Sequence, residues 1–123
     1  LNYNTAYLEQ AEAMLLAMHD NLKEQPWSYT QWLALGILHS YPFYEIAVVG
    51  PDAVKRIDEF SRQPVANRLL IGTTVDSELP LFEARFVPKK TYIYVCEGRA
   101  CKLPVTTVAQ ALEQLEAVEG FGF

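Results

Sequence analysis

The segment spanning residues 45–73 restricts the fold of this chain most strongly. Residues 45–49 form the run EIAVV, which is almost entirely apolar and is typical of a strand buried on both faces. A turn with the sequence GPD leads into residues 52–62, where apolar side chains recur at helical spacing, and a second apolar run covers residues 68–73. Because two buried strands joined by a helix form a right-handed crossover, the strands are predicted to lie parallel in one sheet.

The first 41 residues are predicted to form a helix pair. Apolar residues recur there at steps of three and four, at Tyr7, Ala11, Leu15, Met18 and Leu22. This stripe predicts a helix over residues 4–24, with Asn4 or Thr5 as its N-cap and Pro26 as the residue that ends it. A second helix is predicted to begin near residue 28 and to end before Pro42. Since such a pair has wide apolar flanks, we expect it to pack against something else.

An irregular segment and a hairpin are predicted after the second strand. Residues 75–90 are predicted to be irregular, apart from a helical turn or two between Pro80 and Pro88. Strands are predicted at residues 91–96 and 100–105, and the second of these returns antiparallel to the first.

A closing helix is predicted over residues 107–119. Its N-cap is Thr106 or Thr107, and Gly120 ends it. Its apolar residues, which include Val118, share one face and are expected to point into the core.

The predicted fold class is α/β. With 123 residues, half of them apolar, the chain is long enough to bury a real core. A helix pair in residues 1–41 is followed, in residues 42–123, by a small three-layer, mostly parallel sheet with an antiparallel edge hairpin.

Composition and charge argue against several classes of function. The chain has 15 acidic and 10 basic residues and a net charge of −5, so its surface should repel phosphate backbones and no nucleic-acid partner is expected. No apolar run approaches the roughly 20 residues that a membrane helix needs, so no membrane partner is expected. With no signal-like start, the expected location is cytoplasmic. Because the chain begins at Leu1 and not at Met, we expect it to be a piece of a longer protein.

The chain has two cysteines, and four residues of the predicted hairpin separate them. A two-residue loop at 98–99 and a four-residue loop at 97–100 both place Cys96 opposite Cys101, whereas a bulged three-residue turn would break this register. Directly opposed residues at a non-hydrogen-bonded pair have Cα atoms about 4.5 Å apart, which is at the short end of the disulfide range. A bond between them is therefore expected to be strained and reducible.

Cys96 and Cys101 are accordingly redox candidates, and the alternative is a pair of buried structural thiols. Free cysteine is among the most buried residue types, and neither a CxxC spacing nor a helix N-terminus is present to activate a thiol. Only Arg99 and Lys102 are identified as cations that could do so. These observations favour the structural interpretation.

A second candidate site lies where the two parallel strands end. Gly50 and Asp52 follow the first strand, and Gly72 and Thr73 end the second. Open α/β sheets bind anions at such positions. However, no glycine-rich phosphate motif is present, and Asp52 places negative charge where the anion would sit. A simple turn with a helix N-cap is the favoured interpretation.

The hairpin also carries a family resemblance. Its sequence YVCEGRACKLPVT, residues 94–106, resembles the C-terminal signature of the large thioredoxin-domain-containing family that includes the spermatogenesis-associated thioredoxin-like protein. Residues 45–50 and the helix pair around Trp32 are similar to the segments that precede this signature in the family. The resemblance implies a parent with an N-terminal thioredoxin-like domain, a six-hairpin helical toroid similar to sugar-processing epimerases and glycosidases, and this chain as its tail.

Within that resemblance, the helix pair would be the last hairpin of the toroid or its neighbour. Only Cys96 and Cys101 carry over, as members of a shared motif without an assigned role. The active-site motif of the thioredoxin-like domain and the cavity of the toroid match no position in this chain.

The leading functional interpretation is a non-catalytic structural or interaction module. Its expected partners are the thioredoxin-like and toroid domains of the parent, or a second copy of the chain. One alternative is a thiol-disulfide accessory module that uses Cys96 and Cys101, and another is a small-molecule or anion-binding module near Gly50 and Gly72. We identify no catalytic residue, metal-ligand set or cofactor motif, and this chain alone is not expected to be an enzyme.

Overall fold

The computed structural model of the chain describes residues 4–116. The chain divides into two compact units, and the boundary in the sequence lies between Pro42 and Phe43. Within residues 4–116, the first unit is helical and the second unit combines a sheet with two helices. This arrangement agrees with the predicted fold class.

The first unit contains the predicted helix pair. Its elements are helix α1 (Thr5–Ala17), helix α2 (His19–Glu24), a 3₁₀ turn (Pro26–Ser28) and helix α3 (Thr30–Ser40). Asn4 caps α1, because its side-chain oxygen accepts a hydrogen bond from the amide of Ala6 at 3.0 Å. The helix predicted over residues 4–24 is interrupted at Met18, whose amide donates to the carbonyl of Leu15 at 3.1 Å.

The described helices of the first unit bury none of their residues. Large apolar side chains such as Leu8, Leu16 and Ile37 remain more than half exposed, at 59%, 68% and 53%. Because burial of apolar surface is the main favourable contribution to folding, these helices have little core of their own.

The second unit is built around a four-stranded sheet with the order β2-β1-β3-β4. Its elements are β1 (Tyr44–Val49), α4 (Ala53–Ser61), β2 (Arg68–Thr73), β3 (Tyr92–Glu97), β4 (Ala100–Cys101) and α5 (Val108–Glu116). Strands β1 and β2 are parallel, as predicted from the crossover. Strand β3 pairs antiparallel with β1, so the parallel part of the sheet is limited to one pair and the hairpin forms the opposite edge.

Strand β4 is shorter than predicted. Regular pairing stops after Cys101, and one isolated bridge joins Ile93 to Val105 farther along. Pro104 lies between Cys101 and Val105. Because proline has no amide hydrogen to donate, the ladder does not continue over all of residues 100–105.

One face of the sheet packs against α4 and α5. Side chains of β1, β3 and both helices form this core, and they include Ile46, Val48, Phe60, Ile93, Val95, Ala111 and Leu115. Phe60 is the bulkiest of the fully buried side chains in residues 4–116. Phe60 lies on the buried side of the amphipathic helix α4, whereas Val54 of the same helix faces solvent.

The irregular segment between β2 and β3 covers the other face. Phe82 is buried there against Ala47 and Val49. The predicted helical turn is present, since the amide of Phe82 donates to the carbonyl of Leu79 at 2.7 Å. The third layer of this unit is therefore an irregular segment and not a helix.

Helix α5 begins with a capping box, the sequence TVAQ. The amide of Gln110 donates to the Thr107 hydroxyl oxygen, and the amide of Thr107 donates to the side-chain oxygen of Gln110, both at 3.3 Å. The predicted cap at Thr107 is thus confirmed. The expected burial of Val118 and the expected end at Gly120 lie outside the described residues.

Candidate redox site at the cross-strand cysteines

The hairpin turn sets the register of the two cysteines. Gly98 and Arg99 form a two-residue loop with φ values of +52° and +71°. Positive φ at both central residues is characteristic of a type I′ turn, whose twist matches that of the adjoining strands. The turn places Cys96 directly opposite Cys101, which is the register predicted for a two-residue loop.

A disulfide joins the two cysteines of the chain. The amide of Lys102 donates to the carbonyl of Val95 at 2.9 Å, which identifies Cys96 and Cys101 as a non-hydrogen-bonded pair, the closer kind in antiparallel sheets. Their Cα atoms are 3.9 Å apart. Cys96 is only 2% exposed, whereas Cys101 is exposed. The two ends of the bond therefore differ in their access to solvent.

Arg85 lies against the exposed end of the disulfide. Its Nη2 is 3.0 Å from Sγ of Cys101, and its Nη1 donates to the carbonyl of Leu81 at 2.9 Å. The guanidinium lies 5.0 Å from the centroid of the Tyr94 ring, and the Tyr94 hydroxyl donates to the carbonyl of Arg85 at 3.1 Å. These contacts hold the cation beside the sulfur.

Sequence reasoning missed Arg85. It considered Arg99 and Lys102, which are neighbours of Cys101 in sequence, whereas Arg85 precedes that cysteine by 16 residues. The ammonium of Lys102 instead donates to the carbonyl of Gln114 on α5. A single arginine within the largely apolar stretch LFEARFV was the available signal.

Glu45 is buried, with 4% exposure, and it is the only buried charged residue within residues 4–116. It is the register partner of Cys96 across β1 and β3, so the two side chains share one face of the sheet. A buried carboxylate is stable only where it is hydrogen-bonded or paired, and Glu45 has an interaction partner within the protein. The environment of the buried sulfur is therefore polar as well as enclosed.

The Tyr94 hydroxyl is held in its neutral form. Burial raises the pKa of Tyr94 above its ordinary value, the Arg85 cation opposes this shift, and Tyr92 adds to it. At neutral pH the hydroxyl is therefore protonated and donates to the Arg85 carbonyl, which keeps the arginine in place.

A shallow pocket of about 180 Å³ lies at the base of the hairpin, and its wall includes Tyr44, Val95, Glu97, Ala100 and Lys102. Because side chains alternate along a strand, these side chains lie on the sheet face opposite to that of the two cysteine side chains. The pocket is therefore not on the side of the sheet that carries the disulfide.

The residues of the second candidate site do come together. Gly72 pairs with Val48 in the parallel register, and the amide of Gly50 donates to the carbonyl of Thr73 at 3.0 Å. The hydroxyl of Thr73 in turn donates to the carbonyl of Val75 at 2.8 Å. The polar groups at these strand ends thus make hydrogen bonds within the protein.

The space next to Gly50 is filled by the chain before β3. A Cβ atom at Gly50 would lie 2.2 Å from the carbonyl oxygen of Lys90, and the amide of Asp52 donates to the Thr91 hydroxyl oxygen at 2.9 Å. Ligand binding at Gly50, Asp52, Gly72 and Thr73 stays a prediction, and the proposed function does not use it.

Within residues 4–116, no three His, Cys, Asp or Glu side chains are grouped so that they could hold a metal ion. No helix within the same range combines the length and apolar character needed to cross a membrane.

Comparison with protein-family models, with curated proteins and with solved structures finds no match to this chain.

Proposed function

We propose that the hairpin is a reversible dithiol-disulfide pair that exchanges electrons with a thiol-disulfide partner. The observation that carries the proposal is the unequal environment of the bond, in which buried Cys96 is joined to exposed Cys101 and Arg85 lies 3.0 Å from the exposed sulfur. Reactive cysteines are typically accessible and adjacent to a cation, whereas inert structural cysteines are buried in apolar surroundings.

The resemblance suggests which partner would take part. If this chain is the tail of a thioredoxin-domain-containing protein, the thioredoxin-like domain of the parent is the thiol-disulfide partner. Exchange proceeds by attack of a thiolate on a disulfide sulfur, so it requires one accessible sulfur on each partner, and Cys101 meets this requirement.

A glutathione redox series tests this proposal. The chain is equilibrated at increasing ratios of oxidised to reduced glutathione, alkylated, and analysed by mass spectrometry. We expect the form carrying two alkyl groups to be replaced by an unalkylated disulfide form, and dithiothreitol to reverse the change. A chain that takes up two alkyl groups at every ratio would contradict the proposal.

The same disulfide should contribute modestly to stability. Because it closes a loop of only a few residues, its reduction is expected to lower the free energy of unfolding of the second unit by about 2 kcal/mol, the lower end of the usual range. The Cys96→Ser/Cys101→Ser double variant, unfolded in urea with and without reductant, is the control, since its midpoint should not respond to reductant.

A second candidate function is docking through the helix pair onto the rest of a larger protein. The observation that favours it is that the described helices of the first unit bury none of their residues. Several of their apolar side chains are more than half exposed, and these include Tyr7, Leu8, Leu16 and Ile37. Docking requires that these side chains form a contiguous apolar patch, since patches of that kind mark protein-protein contacts.

Without its partner, this surface is expected to cause self-association of the chain. Size-exclusion chromatography with light scattering should show an apparent mass that rises with concentration, and Leu8→Glu should shift the chain toward the monomer. Leu103→Glu is the matched control, because Leu103 is 83% exposed but belongs to the second unit. A monomer at all concentrations that binds no hydrophobic dye would argue against docking.

A further inference from the structure

The two sulfurs of the hairpin are not equivalent, and this difference assigns them separate roles. We infer that Cys101 is the sulfur that forms the mixed disulfide with a partner disulfide, that Cys96 resolves it, and that Arg85 stabilises the thiolate of Cys101. This inference rests on the proposed dithiol-disulfide function and specifies how it works.

The exposed position of Cys101 favours it as the sulfur that reacts with the partner. In-line attack on a disulfide requires that the attacking sulfur reach a partner. Cys96 is only 2% exposed, and it lies on the sheet face that the irregular segment covers. Cys101 is exposed on the two-residue edge strand β4. The buried cysteine can reach Cys101 because the two are cross-strand partners.

Arg85 selects the same sulfur by charge. Its guanidinium contacts Cys101, and separate groups hold it from other sides, namely the Leu81 carbonyl and the face of the Tyr94 ring. When the bond is reduced, a thiolate at Cys101 would accept a charge-assisted hydrogen bond from a donor that is already in place. A cation next to a cysteine increases the thiolate fraction at neutral pH.

The exchange balances in two steps. The Cys101 thiol loses its proton to solvent, and its thiolate attacks one sulfur of the partner disulfide, which forms a Cys101-partner bond and releases one partner thiolate. The Cys96 thiol then loses its proton and attacks Sγ of Cys101, which forms the intramolecular bond and releases the second partner thiolate. Two electrons pass from the hairpin to the partner, whose thiolates take up two protons.

Other charged groups also surround the pair. Glu45 faces Cys96 from β1, Glu97, Arg99 and Lys102 lie on the hairpin, and the Lys102 ammonium is engaged by the Gln114 carbonyl of α5. All of these groups are retained when Arg85 alone is substituted, so a comparison of Arg85 variants isolates its contribution.

The test uses single-thiol variants, in which the roles of the cysteines separate. Cys96→Ser leaves Cys101, and Cys101→Ser leaves Cys96; each is treated with oxidised glutathione and with iodoacetamide over a range of pH. We expect Cys96→Ser to form the mixed disulfide with glutathione and Cys101→Ser to react several-fold more slowly. Faster reaction of Cys96 would overturn the assignment of roles.

Arg85→Ala in the Cys96→Ser background tests the cation. We expect the pH at half-maximal alkylation to rise by about one unit, because an opposite charge within a few ångströms is removed, and Arg85→Lys should restore part of this shift. Arg68→Ala is the matched control, since Arg68 also lies over a ring, that of Phe60, and donates to backbone carbonyls. An unchanged pH profile of alkylation in Arg85→Ala, with far-UV circular dichroism like that of the Cys96→Ser variant, would refute the role of Arg85.

These measurements are independent of the glutathione series on the two-cysteine chain. If that series shows no reversible oxidation while Cys101 still reacts faster and responds to Arg85, the dithiol-disulfide function fails and the difference between the sulfurs stands. If oxidation is reversible but the single-thiol variants react alike, the function stands and the assigned roles fail.

Discussion

Phe60→Ala is expected to lower the free energy of unfolding of the second unit by about 3–5 kcal/mol. The Phe60 ring is fully buried between α4 and the sheet, so its removal deletes apolar contacts and leaves a cavity. The Arg68 guanidinium lies 5.4 Å from the centroid of the ring and would lose this contact as well. Because single domains are stable by only about 5–15 kcal/mol, this change should remove a large share of the stability.

Urea unfolding followed by far-UV circular dichroism measures the effect. Val54→Ala is the matched control, since Val54 is on the same helix but 73% exposed, and its substitution should change stability by no more than about 0.5 kcal/mol. Trp27 and Trp32 both belong to the first unit, so tryptophan fluorescence reports that unit separately. A loss below about 1 kcal/mol in Phe60→Ala would show that the ring is not packed as described.

Gly50→Ala is expected to destabilise the second unit by about 3 kcal/mol or more. Gly50 has φ of +136°, a conformation that residues with a Cβ atom rarely adopt. The new Cβ would lie 2.2 Å from the Lys90 carbonyl oxygen and 2.6 Å from the Thr91 Cα, and both of these are backbone atoms that cannot rotate away. Relief of the clash would displace the chain before β3 and break the hydrogen bond from the Asp52 amide to Thr91.

Gly36→Ala serves as the comparison for this substitution. Gly36 lies within α3, where an added Cβ meets no atom within 4 Å, so alanine should stabilise the helix by about 0.5–1 kcal/mol. The two glycine variants are thus predicted to change stability in opposite directions. Equal and small effects in urea unfolding would mean that the close approach at Gly50 does not exist in solution.

Local patterns in the sequence predicted most elements of the second unit. The bounds of β2 are those predicted, and β1 and α4 differ by one residue at their ends. The spacing of the cysteines predicted that they face each other, because a short type I′ loop fixes the register of its strands. Each of these features depends on residues close together in the chain, where periodicity and turn chemistry are informative.

Long-range features were not predictable in the same way. Nothing in the local pattern of residues 92–97 states whether β3 joins the sheet parallel or antiparallel, and the structure pairs it antiparallel with β1. The sequence also did not predict that the irregular segment forms the third layer, because Phe82 covers the sheet from a segment that has no helical periodicity. Pairing and coverage of this kind depend on which surfaces remain to be buried once the strands are assembled.

The cysteine hairpin shows the same division within one site. The pairing of the two cysteines was predictable from six consecutive residues, because a two-residue and a four-residue loop both place Cys96 opposite Cys101, whereas the choice of the two-residue turn is seen only in the structure. The contact of Arg85 with Cys101 and the position of Glu45 opposite Cys96 depend on segments far away in sequence. The reactivity of a thiol depends on the charge and burial around it, and it is the packing of the irregular segment and β1 against the hairpin that sets both.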